Sequence, residues 1–333
     1  MYANNAAVNR NDIQGSVMQS PELEQMLVAD HISPFQPTEE QHFRYPLFSN
    51  AKSGLIQAPD QDADPTLVKP GDAYPRLKDS FEYQQDSTIK RGMEYPVADI
   101  HARQLNGKSG FNFEVYAANR LTRATKLGRE IRLSRLLTNS NNGINRTDAG
   151  FSWESGNLAT GDFVGNILDA IERMNNKGYI ANAIIIPFGL IQLIKRSTSF
   201  KDYGKNFGIK IDTGDGSTSS ITDNDIVAAF AEHGIEKLII PRGSYQSNNE
   251  GTDTVSTAKL WAQDFAMVTS IRDGALENGG LSRTMHWDAG AESPYQVQTY
   301  RDEQHESDIV RVKQFDKERI IDPAAAEYIN VTQ

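Results

Sequence analysis

Along the chain, apolar positions change their period three times, and each change marks a different kind of element. From residue 111 to 138 the text FNFEVYAANRLTRATKLGREIRLSRLLT places Ala117, Leu121, Ala124, Leu127 or Gly128, and Ile131 three or four residues apart. That spacing predicts one long helix with an apolar stripe. Twenty-eight residues at 1.5 Å each make a rod of about 40 Å, capped by Ser109 or Asn112 and stopped by TNSNNG. The middle of the chain alternates. Asp162 caps a helix that runs to near Gly178, NAIIIPF is a buried strand ended by Pro187, and GLIQLIKRS is a short amphipathic helix. A further helix is predicted from Asp225 to His233, a second buried strand in EKLIIP, and more strand in KLWAQDFAMVTSI. Towards the end the period becomes two: PYQVQTY, DIVRVKQF, ERIID and EYINVT read as strands. The fold class is α+β, with an α/β portion between extended segments from both ends.

The first third differs. Eight of the 13 prolines fall between Pro34 and Pro96, a density that excludes long helices and central strands. The same region carries Phe35, Phe43, Tyr45, Leu47, Phe48 and Tyr74, so it has apolar anchors. SFEYQQDSTIKRGMEYPV reads as a strand with Phe81 and Tyr83 on one face. An extended excursion from 50 to 97 is far longer than the ~4–6 residues of an ordinary connection, and it predicts contact with another copy of the chain.

Composition narrows the chemistry. The 333 residues hold no cysteine, which removes disulfides, thiolate nucleophiles and cysteine metal sites. A net charge of −10 argues against wrapping nucleic acid as the main task. No signal peptide opens the chain, and no run approaches the ~18–20 apolar residues of a membrane span, so a soluble protein without a membrane partner is expected. The six histidines stand singly, without zinc spacing. Asp212-Thr213-Gly214 matches an aspartic-protease triplet but has no second copy to share a proton with. Gly107-Lys108-Ser109 ends like a phosphate-binding loop, yet Ala102 stands where a glycine is required. His286-Trp287-Asp288 reads as loop, given Gly290 and Pro294. No catalytic, cofactor-binding or metal residue is therefore assigned, and no enzyme is expected.

Two charged features remain. Arg120, Arg123, Lys126, Arg129, Arg132 and Arg135 recur at every third position of the long helix, a step that winds them around the rod. They read either as a solvated helix paired with neighbouring acids or as a mildly basic surface facing a polyanion. RDEQHESD, Arg301 to Asp308, lies between two uninterrupted strands. It reads as a hairpin turn whose charge discourages unplanned edge pairing, with Glu303, Glu306 and Asp308 available to a basic group on a neighbour.

The order of these elements resembles the major capsid protein of tailed bacteriophages, the Hong Kong 97-type fold. The resemblance implies an N-terminal arm at 1–49, an E-loop at 50–97, and a peripheral (P) domain at 98–160 containing the spine helix 111–138. It further implies an axial (A) domain at 161–285 and C-terminal strands at 286–333 returning to the P-domain, with RDEQHESD similar in position to the family's P-loop. It implies a coat protein that assembles as hexamers and pentamers into an icosahedral shell around double-stranded DNA, formed in the host cytoplasm and resident in the virion. The implied partners are further copies, a portal at one vertex, a cement or decoration protein, and the packaged DNA by non-specific contact. Because the sequence starts at Met1 directly with the arm, a separate scaffolding protein is expected. Assembly contacts are assigned by position to Phe81, Tyr83, Arg120, Arg123, Arg129, Arg132, Glu303, Glu306 and Asp308. The alternatives are a nanocompartment shell of the same fold, another virion structural protein, and an enzyme built on a Rossmann-like core.

Overall fold

A computed structural model describes residues 8–9, 27–47, 68, 70–71, 73, 82–100, 112–206, 221–247, 256–288 and 294–331. Phe81, Gly107-Lys108-Ser109 and Asp212-Thr213-Gly214 lie outside these residues. The chain begins with β1 (Val8–Asn9), α1 (Ala29–Ile32), β2 (Phe35–Thr38), β3 (His42–Leu47), β4 (Glu82–Ser87), β5 (Ile89–Ala98) and the long α2 (Phe113–Thr138). There follow β6 (Asn145–Asp148), α3 (Phe163–Asn176), β7 (Ala183–Ile185), α4 (Phe188–Arg196), α5 (Thr198–Asn206) and α6 (Asp223–Phe230). The rest is strand: β8 (Lys237–Ile239), β9 (Ser244–Gln246), β10 (Thr257–Lys259), β11 (Phe265–Thr269), β12 (Ser282–Trp287), β13 (Gln296–Asp302), β14 (Ser307–Ile320) and β15 (Ala326–Asn330).

Two sheets organise the fold. The six-stranded sheet runs β1-β13-β14-β12-β2, with β5 also on β14. Asp316 pairs with both Ile89 and His286, so β5 lies along one edge of β14, and β13 and β12 follow each other along the other. The five-stranded sheet runs β6-β15-β11-β7-β8. One face of it packs on α3, α4 and α6 through Phe163, Ile167, Ile171, Ile191, Ile194, Phe230 and Val268. Its other face, with Ile185, Phe265, Met267 and Tyr328, meets Leu133 and Leu137 of α2. The N-terminal half of α2 instead covers the six-stranded sheet, where Ala117, Ala118 and Leu121 meet Val97, Val297, Val310 and Val312. One helix thus spans both sheets.

That double duty corrects the expected apolar stripe. Asn112 caps α2, its side chain accepting from the Glu114 and Val115 amides. The buried column is then Ala117, Leu121, Thr125, Arg129, Leu133 and Leu137, whereas Ala124, Leu127, Gly128 and Ile131 are only half-buried. A step of four advances about 40° per turn, so the column winds from one sheet to the other. Period alone does not see this.

Other local readings need smaller adjustments. Asp162 caps α3 as expected, accepting from the Gly165 amide. The expected helix at Asp225 starts two residues earlier, because Thr222 and Asp225 form a reciprocal capping box. DIVRVKQF and ERIID form one strand, β14, and KLWAQDFAMVTSI divides into β10 and β11 around buried Trp261. His286 and Trp287 sit on β12, not in a loop: His286 is buried, its Nδ1 is 3.1 Å from the Phe315 carbonyl, and burial pushes its imidazole below the usual range. β3 pairs with β4, so 42–47 forms a ribbon with the returning strand, and β6 and β15 belong to the five-stranded sheet.

Candidate assembly surfaces

The spine arginines divide into two groups. Arg129 is 1% exposed. Its guanidinium donates to Asp30, to the Ser33 carbonyl at 2.6 Å and to Thr284 Oγ1 at 3.0 Å, and lies 3.8 Å from the centre of the Phe35 ring. Arg132 Nη2 meets Asp316 at 2.5 Å, and its Nε donates to Glu318 at 3.0 Å. Arg129 is therefore enclosed, whereas Arg132, paired within the chain, keeps 23% of its side chain exposed. The assignment of Arg129 to an interchain contact is corrected, since a side chain this enclosed has no face for a neighbour. Arg120 and Arg123 are exposed on the first half of the helix, and Arg120 reaches the Tyr116 hydroxyl at 3.3 Å.

Next to Arg129, Glu130 does the complementary work. Its buried carboxylate accepts from the Val28 amide at 3.2 Å, the Ala29 amide at 2.8 Å and the Trp261 indole at 2.5 Å. Burial pushes this carboxyl up, against the hydrogen bonds that favour its charge. Arg129 and Glu130 together clamp residues 28–35 onto the spine.

Asp316 forms the second junction. It is fully enclosed, faces Arg132 of α2 and, at 3.3 Å, Arg91 of β5, and accepts from Gln314 at 2.9 Å. Burial pushes its pKa up to about 6, although Arg132 pulls the other way. None of Glu130, Asp316 and Glu318 stood out in the sequence. The available signal was parity: Asp316 and Glu318 share the side of β14 taken by Val310 and Val312, the apolar side.

The terminal turn is a hairpin connection. Asp302 pairs with Ser307 and Arg301 with Asp308, leaving Glu303 to Glu306 as the turn. Glu306 takes φ 43°, a left-handed conformation uncommon for a residue other than glycine. Arg301 binds Asp99 at 2.7 Å and Asp308 at 3.3 Å, with Glu303 at 3.7 Å. His305 Nδ1 lies 2.8 Å from Asp302, and this hydrogen bond holds the Asp302 carboxyl below its usual range. Among the described residues no group of three or more histidines and carboxylates is placed to hold a metal ion. Nor is any helix among them long and apolar enough to cross a membrane.

On the ribbon, Tyr83 is 67% exposed and stands opposite Pro46. Ile89 and Met93 of β5 and Tyr116 of α2 are also exposed. Tyr83, Arg120, Arg123 and the turn carboxylates are all at the surface, but on separate elements: the structure does not gather them into one site.

No protein-family model matches the chain, and no curated protein matches it in sequence. Solved structures do. It is similar to a phage-related protein from Bordetella bronchiseptica RB50, with TM-score 0.69 and 13% identity over 98% of each chain. It is also similar to the putative capsid protein of a prophage of E. coli CFT073, with TM-score 0.54 and 12% identity over 98% of this chain and 100% of that one. A virus-like particle from Pyrococcus furiosus gives TM-score 0.54 and 11% identity, over 96% and 98%. At such identities the likeness is one of fold, and over nearly its whole length this chain has the fold of phage capsid proteins.

Proposed function

We propose that this protein is a coat subunit, which assembles with further copies, as hexamers and pentamers, into an icosahedral shell enclosing packaged double-stranded DNA. The observation that carries this reading is the end-to-end match to a prophage capsid protein, 98% of this chain against 100% of that one. The arrangement of the chain supports it physically. A rigid α2 ties two sheets together, while the β3–β4 ribbon presents Tyr83 to solvent, and an extended ribbon multiplies modest contacts of the kind that bury ~1,600 Å² each.

On this reading 1–49 is the arm, 50–97 the E-loop, 98–160 and 286–333 the peripheral domain and 161–285 the axial domain. Tyr83, Arg120, Arg123, Arg132, Glu303, Glu306 and Asp308 are the assembly contacts within the described residues. Scaffolding, portal and cement proteins are the partners, the virion is the location, host cytoplasm is the place of assembly, and the role requires no catalysis.

Negative-stain electron microscopy of the recombinant chain, alongside size-exclusion chromatography, tests the proposal. Closed shells, or hexamers and pentamers, are expected. A compact monomer at every concentration and salt overturns it.

A further inference from the structure

We propose that the six-stranded sheet, on the face turned away from α2, receives at Lys90, Lys313 and Lys317 the carboxylates of the β13–β14 turn of a second copy of this chain. This deepens the shell reading and rests on it.

The strand alternation creates the surface. Val310, Val312, Gln314, Asp316 and Glu318 of β14 are buried towards α2, so Arg311, Lys313, Phe315, Lys317 and Arg319 project from the opposite face. β5 adds Lys90, opposite Phe315, and Gly92, opposite Lys313. Two of these charges are matched within the chain: Arg311 by Glu94 at 2.5 Å, and Arg319 by Asp86. Lys90, Lys313 and Lys317 have no ion-pair partner among the described residues. Burial holds the Lys313 amine below its usual range, and the positive charges of Lys90 and Arg311 push it the same way. Gly92 has no side chain with which to cover it. In a chain of net charge −10 this is a local excess of positive charge that a partner's anions would relieve.

The occupant follows from the same surface. Glu94 and Asp86 are interspersed among the basic residues, and a phosphate backbone laid across them would meet repulsion. Phe315 and Trp287, in edge contact at 5.0 Å, together with Arg311 and Arg319 give the patch the aromatic and arginine content enriched at protein interfaces. The complementary group lies on the same chain. Asp99, Glu303 and Asp308 surround Arg301 and Asp302 meets His305, and Glu306 adds a fifth carboxylate to the same turn. A copy's own turn does not reach its own lysines, because Lys313 lies six residues along the same strand from Ser307, about 20 Å away. The pairing is therefore between copies.

Carbodiimide cross-linking of assemblies made from mixed ¹⁵N-labelled and unlabelled chains tests this directly. Heavy-to-light cross-links joining Lys90, Lys313 or Lys317 to Glu303 or Glu306 are expected. Cross-links from these lysines to other carboxylates only overturn the pairing. Lys313→Glu with Lys317→Glu is expected to lower assembly yield about tenfold or more with an unchanged thermal melt, and Glu303→Lys with Glu306→Lys in the same chain to restore it. Wild-type yield from the lysine variant overturns the inference and leaves the shell reading standing, whereas a wild-type chain that never assembles overturns both. Loss of duplex-DNA binding in a mobility shift, with assembly intact, gives the surface to a polyanion instead.

Discussion

Arg132 of the long helix and Asp316 of β14 meet at 2.5 Å across the seam between helix and sheet, and the aspartate has no solvent exposure. This junction replaces what hydrophobic packing would normally supply. Such pairs stabilise little relative to apolar residues of equal volume, yet breaking one is expensive. Its value lies in fixing how the helix sits on the sheet, since Arg91 of β5 converges on the same carboxylate.

The junction gives a pH signature. With a folded pKa raised to about 6, Asp316 binds more protons folded than unfolded between about pH 4 and 6. Its contribution to stability therefore falls as pH rises through that window, by an amount on the order of 3 kcal/mol. Urea unfolding of the wild type and Asp316→Asn across pH 4–7 should show the difference between them shifting against the wild type as pH rises. A constant difference across the window refutes the assignment.

Glu130 is the most sensitive residue of the clamp. Glu130→Ala leaves the Val28 and Ala29 amides and the Trp261 indole without their acceptor, at a cost of about 3 kcal/mol or more. Limited proteolysis should then cut near residues 27–35 well before the rest of the chain, while the wild type resists there. Equal resistance of the two would show that the clamp does not hold this segment.

Arginines of one helix should behave in opposite ways. Arg129→Ala removes the donor shared by Asp30, the Ser33 carbonyl and Thr284 Oγ1 and empties a buried volume against Phe35, costing about 2–4 kcal/mol, mostly from the cavity because Asp30 is half exposed. Arg120→Ala with Arg123→Ala, both exposed, should change folding stability by only about 0.5 kcal/mol while weakening assembly. Chemical denaturation and shell yield separate the two effects.

Gly92 is required by a close approach. A Cβ there would stand 2.8 Å from the Val312 carbonyl oxygen, so Gly92→Ala should displace β5 from β14 and cost about 1–3 kcal/mol. A melting temperature equal to the wild type's would mean that the strands separate without strain.

In the terminal turn, Glu303, Glu306 and Asp308 can all be replaced by alanine without unfolding the hairpin, because Arg301 retains Asp99 at 2.7 Å. The triple variant should melt like the wild type and fail to close shells. Normal shells under electron microscopy would remove the turn from assembly.

The sequence by itself determined the elements whose reasons are local. The cap at Asp162, the buried strand at Ala183–Ile185 and the hairpin turn around Glu303–Glu306 follow from side-chain chemistry and period within a few residues, and Asn112 was one of the two caps that chemistry offered for the long helix. So did the order of elements, which carried the resemblance to a capsid fold. Only the tertiary structure decided what the charges do. Arg120 and Arg129 occupy the same kind of position in the same repeat, and nothing local distinguishes them. Arg129 is buried because α2 crosses from one sheet to the other at that point, where Asp30 and Thr284 arrive from 99 and 155 residues away. Lys313 and Asp316, three residues apart, face opposite sides of one strand, and only the helix packed on one side makes the first a surface charge and the second a buried one. Burial is a property of what else arrives at a place, and period-based reading of a single segment contains no information about arrivals.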